Sequence, residues 1–139
     1  MSLRNRLNPS NGDDRPGTRG PDGAARFQVD AQPEPLGVRV CPIGEIDLAT
    51  VGSIRRKIDE CVAAGCERLA LDLRGVTFMD STGLHLVLDA QAAAGEEGWE
   101  LLVIEGPDSV QRVFEVTGLR DRLPFVDAPP SLTPSPRSA

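Results

Sequence analysis

Residues 80–83, Asp-Ser-Thr-Gly, place a carboxylate and two hydroxyl groups directly before the apolar residues of a predicted helix. Asp, Ser and Thr are favoured at helix N-termini, because their oxygens accept hydrogen bonds from the unpaired N–H groups of the first turn. The same N–H groups and the positive end of the helix dipole also stabilise a phosphate. The segment therefore suits either a helix cap or a phosphate carried on Ser81.

Gly83 indicates that the backbone is closely approached at this point. Glycine inside a helix costs about 1 kcal/mol relative to alanine, so a glycine at this position indicates that a side chain would not fit there. We expect another backbone or a phosphate to use the space that the missing side chain leaves.

Ser81 and His85 lie four residues apart on the predicted helix, so a serine hydrolase has to be considered. Such an enzyme also needs an orienting acid and an oxyanion hole. The nucleophile elbow Gly-x-Ser-x-Gly is absent, since Ser81 is flanked by Met-Asp and Thr-Gly. We therefore interpret His85 as a solvent-facing residue and expect no intrinsic catalysis, no cofactor and no metal.

The elements that position this segment alternate between strand and helix patterns. Alternating apolar residues predict strands at 27–31 and 37–44, antiparallel across a short turn, and a three-and-four-residue spacing predicts a helix from Leu48 to Val62. Later segments predict strands at 69–73, 100–104 and within 123–126, and helices after Gly83 and Pro107. The order predicts an α/β domain with a small, mostly parallel sheet, one antiparallel edge hairpin and flanking helices.

Charge and proline divide the chain of 139 residues into three parts. Residues 1–25 and 128–139 are poor in apolar side chains or rich in proline and serine, so both are predicted to be disordered tails around a domain at 26–127. Residues 27–127 hold nine basic and eighteen acidic side chains, which disfavours nucleic-acid binding. No apolar run is long enough for a membrane span or a signal peptide, so a cytoplasmic protein with free thiols is expected.

Two short motifs resemble the STAS domain of bacterial anti-sigma factor antagonists. Phe-Met-Asp-Ser-Thr-Gly-Leu at 78–84 follows an apolar strand, and Gly-Glu-Ile-Asp at 44–47 is similar to the family's Gly-Glu-Leu-Asp signature. The strand Gly-Trp-Glu-Leu-Leu-Val at 98–103 and the later Val-Phe and Thr-Gly-Leu segments are similar to its remaining pattern. The resemblance covers residues 27–127 and implies a single STAS domain.

The resemblance implies a phosphorylation switch at the serine that follows the motif aspartate, here Ser81, with the adjacent Thr82 as a weaker alternative. The unphosphorylated antagonist binds an anti-sigma factor, which is itself a serine kinase, and the sigma factor is released. Phosphorylation prevents this binding, and a phosphoserine phosphatase restores it. The implied partner-binding residues are Asp47, Asp80, Ser81, Thr82 and Gly83.

Both aspartates also have a structural interpretation. Asp47 is predicted to cap the helix that begins near Leu48, and Asp80 to cap the next helix. The resemblance implies in addition that both line the partner face, with Asp80 orienting the Ser81 hydroxyl through a hydrogen bond.

Other members of the resembled family have different roles, and one remains as the alternative. Similar domains occur in sulfate-transporter tails, lipid-transport complexes and stress-sensing scaffolds. An accessory subunit of a lipid-transport complex, or another regulatory scaffold without a phosphorylation switch, is therefore the second hypothesis. The serine after Asp80 favours the phosphorylatable antagonist.

Overall fold

The computed structural model describes residues 27–127, so the two predicted tails lie outside the described residues. The elements in chain order are β1 (Gln28–Glu34), β2 (Gly37–Ile46), α1 (Val51–Ala63), β3 (Arg68–Asp72), β4 (Val76–Met79), α2 (Ser81–Glu97), β5 (Glu100–Ile104), α3 (Asp108–Val116) and β6 (Phe125–Val126). A 3-10 turn, Arg120–Arg122, precedes β6. Each helix thus connects strands of one sheet, as in a βαβ unit.

The sheet has the strand order β1-β2-β3-β5-β6, and β4 pairs with β2 off this path. β1 and β2 form an antiparallel hairpin in which Glu34 lies opposite Gly37. All the remaining strand pairs are parallel. The predicted α/β architecture with one antiparallel edge hairpin is confirmed.

The main core lies between the sheet and the helices. Leu69 and Leu71 of the central strand β3 are fully buried and belong to one cluster with Ile54 of α1, Leu86 of α2 and Phe114 of α3. Burying one such side chain contributes about 1.5–3 kcal/mol, so these five side chains help to anchor all three helices on the sheet. The apolar spacing predicted Ile54 of α1 and Phe114 of α3, whereas on α2 it predicted Leu84 and Val87 but missed Leu86 and wrongly included the exposed Ala92.

β4 is a strand that the sequence analysis missed. Val76–Met79 has only four residues, and its outer positions are buried while its middle ones are exposed, which matches neither simple period. It is a strand because it pairs with β2, where Ile46 lies opposite Met79 and the register shifts between Gly44 and Glu45. This pairing places the residues after β4 beside the residues after β2.

The start of α1 also differs from the prediction. The helix begins at Val51, and Leu48, which was predicted to lie on its apolar face, is 81% exposed in the preceding turn. The backbone carbonyl of Asp47 accepts hydrogen bonds from the N–H groups of Thr50 and Val51 at 3.1 and 2.9 Å. This turn keeps Leu48 out of the helix and turns it toward solvent.

Candidate functional site

The predicted site residues come together where β2 and β4 end. The Asp80 N–H donates to the Ile46 carbonyl at 3.3 Å, which continues the β2–β4 pairing by one further bond. Asp47 follows Ile46 directly, so both aspartates leave the sheet at the same edge. Carboxyl ends of parallel strands are the usual place for binding residues in α/β folds.

Asp80 caps α2, as predicted. Its Oδ1 accepts hydrogen bonds from the Thr82 N–H at 2.9 Å and from the Thr82 hydroxyl, and its carbonyl accepts from the Gly83 N–H at 3.0 Å. The Thr82 hydroxyl and N–H hold the pKa of the Asp80 carboxyl below its ordinary value, so this cap is ionised at neutral pH. The expectation that Asp80 orients the Ser81 hydroxyl is wrong in this conformation, because the carboxylate binds Thr82.

Ser81 and Thr82 are therefore not equivalent hydroxyls. Ser81 is the first residue of α2 and is exposed, and its Oγ makes no hydrogen bond within residues 27–127. Thr82 is half-buried, and its hydroxyl donates to Asp80. Of the two adjacent hydroxyls, the one at Ser81 is accessible to an incoming phosphate donor.

Asp47 organises the turn before α1 and does not cap the helix itself, which corrects the prediction. Its Oδ1 accepts from the N–H groups of Ala49 and Thr50 at 3.0 and 3.2 Å. The helix N-cap is Thr50, whose hydroxyl donates to the Glu45 carbonyl at 2.7 Å and makes no capping bond to the helix. Asp47 thus fixes the shape of the loop that faces Asp80.

Gly83 is buried, and the close approach that it permits lies inside the domain. A Cβ atom at this position would lie 2.2 Å from Met79 Cγ and 3.1 Å from Ile46 Cγ2. The first turn of α2 therefore rests directly on β2 and β4. Within this domain Gly83 positions Ser81 by packing, and the space is not left open for a phosphate.

Gly83→Ala is expected to lower the free energy of unfolding by about 1–2 kcal/mol, because the overpacking exceeds the gain in helix propensity. Urea unfolding followed by circular dichroism measures this difference. Gly95→Ala in the same helix is the matched control, since a Cβ there meets nothing within 4 Å. We expect that control to be neutral or stabilising. Equal effects of the two substitutions would contradict the packing role of Gly83.

Two exposed apolar side chains stand close in the chain to the two aspartates, and the sequence analysis did not identify them as surface residues. Leu48 is 81% exposed in the turn after Asp47, and Phe78, two residues before Asp80, is 48% exposed. The residue that could have indicated the exposure of Leu48 is Asp47, because its side chain forms the turn that separates Leu48 from the helix.

His85 does not form a serine–histidine pair with Ser81 in the described residues. His85 is exposed one turn after Ser81, as predicted, and no hydrogen bond joins the two side chains. In the range 27–127, no three His, Cys, Asp or Glu side chains are grouped closely enough to hold a metal ion. No helix in that same range has both the length and the apolar character to cross a membrane.

Comparison with known proteins gives a consistent result. The family model described as "Mlab, STAS domain" matches residues 27–127. The chain is 32% identical over 85 residues to the anti-sigma F factor antagonist of Paenibacillus polymyxa, which covers 60% of this chain and 73% of that protein.

Solved structures with a similar fold are also described as anti-sigma factor antagonists. An anti-sigma factor antagonist from Mycobacterium paratuberculosis superposes with a TM-score of 0.67 at 24% identity, over 76% of this chain and 90% of that one. The anti-sigma factor antagonist SpoIIAA in its unphosphorylated form gives 0.60 at 26% identity, over 74% and 88% of the two chains. The phosphorylated form of SpoIIAA from Bacillus gives 0.56 at 25% identity, over 74% and 91%.

Proposed function

The chain belongs to the STAS-domain family of anti-sigma factor antagonists, and from this membership we propose that phosphorylation of Ser81 controls its binding to an anti-sigma factor. The unphosphorylated protein binds an anti-sigma factor that is also a serine kinase, and the sigma factor is released. The kinase phosphorylates Ser81 and binding is lost, until a phosphoserine phosphatase removes the phosphate. The protein acts in the cytoplasm by binding and carries out no chemistry of its own.

The observation that carries this proposal is the state of the Ser81 hydroxyl. It is exposed and makes no hydrogen bond to any described residue, whereas its neighbour Thr82 is engaged by Asp80. A kinase can therefore reach Ser81 without breaking a bond of the fold. Phosphorylating Thr82 instead would remove the hydroxyl proton that it donates to the helix cap.

The surroundings of Ser81 suit an interface that a phosphate can disrupt. Leu48, directly after Asp47, offers exposed apolar contact area, and Asp47 and Asp80 already place negative charge at the sheet edge from which Ser81 follows. Phosphorylation adds about −1.5 to −2 charges at neutral pH, so burial of this surface against a partner becomes costly. The N–H groups of the first turn of α2 stabilise the same phosphate in the free protein.

The comparisons support a switch of this kind without assigning it to Ser81. SpoIIAA, which shares the fold of this chain, exists in a phosphorylated and an unphosphorylated form. Both forms superpose on the same described domain with similar TM-scores, 0.60 and 0.56. This agrees with a phosphate that changes affinity while the fold is kept.

The test is phosphorylation of the full chain by purified anti-sigma kinases encoded beside it, in the presence of ATP. We expect phosphate on the peptide that contains Ser81, no labelling of Ser81→Ala, and normal labelling of Thr82→Val. Ser81→Ala is expected to hold the kinase in a stable complex. Labelling of Ser81→Ala at the wild-type level, or no phosphate on this peptide with every kinase, would overturn the proposal and favour a scaffold without a switch.

A further inference from the structure

The C-terminus of α1 brings two cysteines together. The Cys66 N–H donates to the Cys61 carbonyl at 3.2 Å, and the Gly65 N–H donates to the Val62 carbonyl at 2.9 Å. Gly65 has a φ of 98°, the left-handed conformation that ends many helices. These features define a Schellman motif, in which the side chains at the first and last of six positions are commonly in contact.

Cys61 and Cys66 occupy those two positions. The hydrogen bond between their backbones keeps the two Cα atoms within about 7 Å, the upper limit of the distance that a disulfide bridges. Both thiols are free and half-buried, and both side chains pack against the core from the same turn. Burial raises the pKa of the Cys66 thiol, and the nearby Cys61 raises it further.

We propose that Cys61 and Cys66 are a modification site at which a hydroperoxide forms a reversible intrachain disulfide. One thiolate attacks a peroxide oxygen, which gives a sulfenic acid and releases water or an alcohol. The second sulfur then attacks the sulfenic sulfur, forms the S–S bond and displaces water, and the thiol protons go to the released oxygens. The two sulfurs are oxidised and the peroxide is reduced, so the electrons balance.

The disulfide connects the end of α1 to the residues that lead into β3. This turn is at the amino end of β3, whereas Ser81 follows the carboxyl end of β4. The modification therefore stabilises the domain and does not occupy the proposed partner surface. Because burial raises the pKa of both thiols, the reaction is faster at mildly alkaline pH than at neutral pH.

Cys41 provides an internal reference. It lies in β2 with its sulfur 3.4 Å from an Arg39 guanidinium nitrogen, and it pairs with neither of the other cysteines. Burial also raises the pKa of the Cys41 thiol. A reagent that oxidised every half-buried thiol equally would therefore modify Cys41 as well.

The experiment treats the full wild-type chain with hydrogen peroxide at mildly alkaline pH, alkylates the remaining thiols and maps the peptides by mass spectrometry. We expect loss of two hydrogen atoms, a link between Cys61 and Cys66, and an alkylated Cys41. The Tm of the oxidised protein is expected to rise by about 5 °C or more and to return with dithiothreitol. Cys41→Ser is expected to behave as wild type.

Equilibration with glutathione, with and without urea, tests whether the fold positions the two sulfurs. Unfolding removes the turn, so the equilibrium constant for forming the Cys61–Cys66 disulfide against glutathione is expected to fall at least about fivefold in urea. An equal equilibrium constant in urea, disulfides that involve Cys41 in the folded protein, or sulfinic acids at Cys61 and Cys66 in place of a disulfide would each overturn the proposal. Both experiments need only wild type and Cys41→Ser, so the test does not depend on substitutions of Cys61 or Cys66.

Discussion

Ser81→Asp is expected to weaken binding to the cognate anti-sigma factor several hundredfold, which corresponds to about 3–4 kcal/mol. The new carboxylate stands at the first residue of α2, next to the ionised Asp80 and on the same sheet edge as Asp47. Burying this third charge against a partner requires its desolvation and opposes the existing negative charges. Titration calorimetry with the purified anti-sigma factor measures the two dissociation constants.

Gln91→Glu is the matched control for Ser81→Asp. Gln91 is exposed on the same helix, about 15 Å further along its axis, and the substitution adds a single negative charge to the protein. We expect its dissociation constant to stay within about threefold of wild type, because exposed charges at that distance are screened by salt. If Ser81→Asp bound as tightly as wild type, or if both variants lost affinity equally, charge at Ser81 would not be the switch.

The fold is expected to tolerate the same substitution. Aspartate is favoured in the first turn of a helix, where it interacts with the free N–H groups and the helix dipole. The urea midpoint of Ser81→Asp should therefore equal or exceed that of wild type. Loss of binding together with retained stability separates a charge effect at the surface from unfolding of the domain.

Much of this architecture follows from patterns within single elements. The apolar run of β3 predicted a buried strand, and the apolar spacing of α1 and α2 predicted amphipathic helices that flank the sheet. The preference of aspartate for helix N-termini correctly predicted the cap at Asp80. Such patterns are local, so the sequence alone carries them.

The parts that were missed depend on distant partners. β4 is a strand through its pairing with β2, some thirty residues earlier, and its own four residues carry no clear period. Gly83 indicated a close approach, but only the fold shows that Met79 and Ile46 make it. Asp80 binds Thr82 and not Ser81 because of the side-chain geometry at the cap. The residue types alone do not specify that geometry.

The largest expected loss of stability belongs to Asp72, a charged side chain buried at the end of β3. Its side chain is 7% exposed, and its oxygens accept from Arg74 Nε at 3.0 Å, from a second Arg74 nitrogen at 2.9 Å and from Arg39 at 3.1 Å. Arg39 also binds Glu34 at 2.9 Å, so one network joins β1, β2 and β3. Removing one partner from a buried ion pair leaves the other charge uncompensated, at a typical cost of 3–5 kcal/mol.

Asp72→Asn is therefore expected to lower the free energy of unfolding at neutral pH by about 3 kcal/mol. We expect the lower end of the typical range because Arg74 is half-exposed and Arg39 still has Glu34 as an ion-pair partner. Urea unfolding measures the difference. Asp89→Asn is the matched control: Asp89 binds Arg55 at 2.9 Å but is 61% exposed, so its loss should cost under about 1 kcal/mol. Equal costs for the two variants would show that burial of the Asp72 pair does not stabilise the sheet.

The pH dependence of stability provides a second, independent test of Asp72. Burial on its own raises the pKa of this carboxyl, but the hydrogen bonds from Arg74 and Arg39 outweigh it, and the pKa in the folded protein is lowered. A carboxyl with a lowered pKa contributes stability that is present above its unfolded pKa, near about 4, and is lost as pH falls through the folded value. The difference between wild type and Asp72→Asn should therefore be constant from neutral pH to about pH 5 and shrink at more acidic pH. If the difference stayed constant down to about pH 2, the charge of Asp72 would not be what stabilises the three strands. The loss of stability in Asp72→Asn would then come from the shape of the asparagine amide or from its N–H donors.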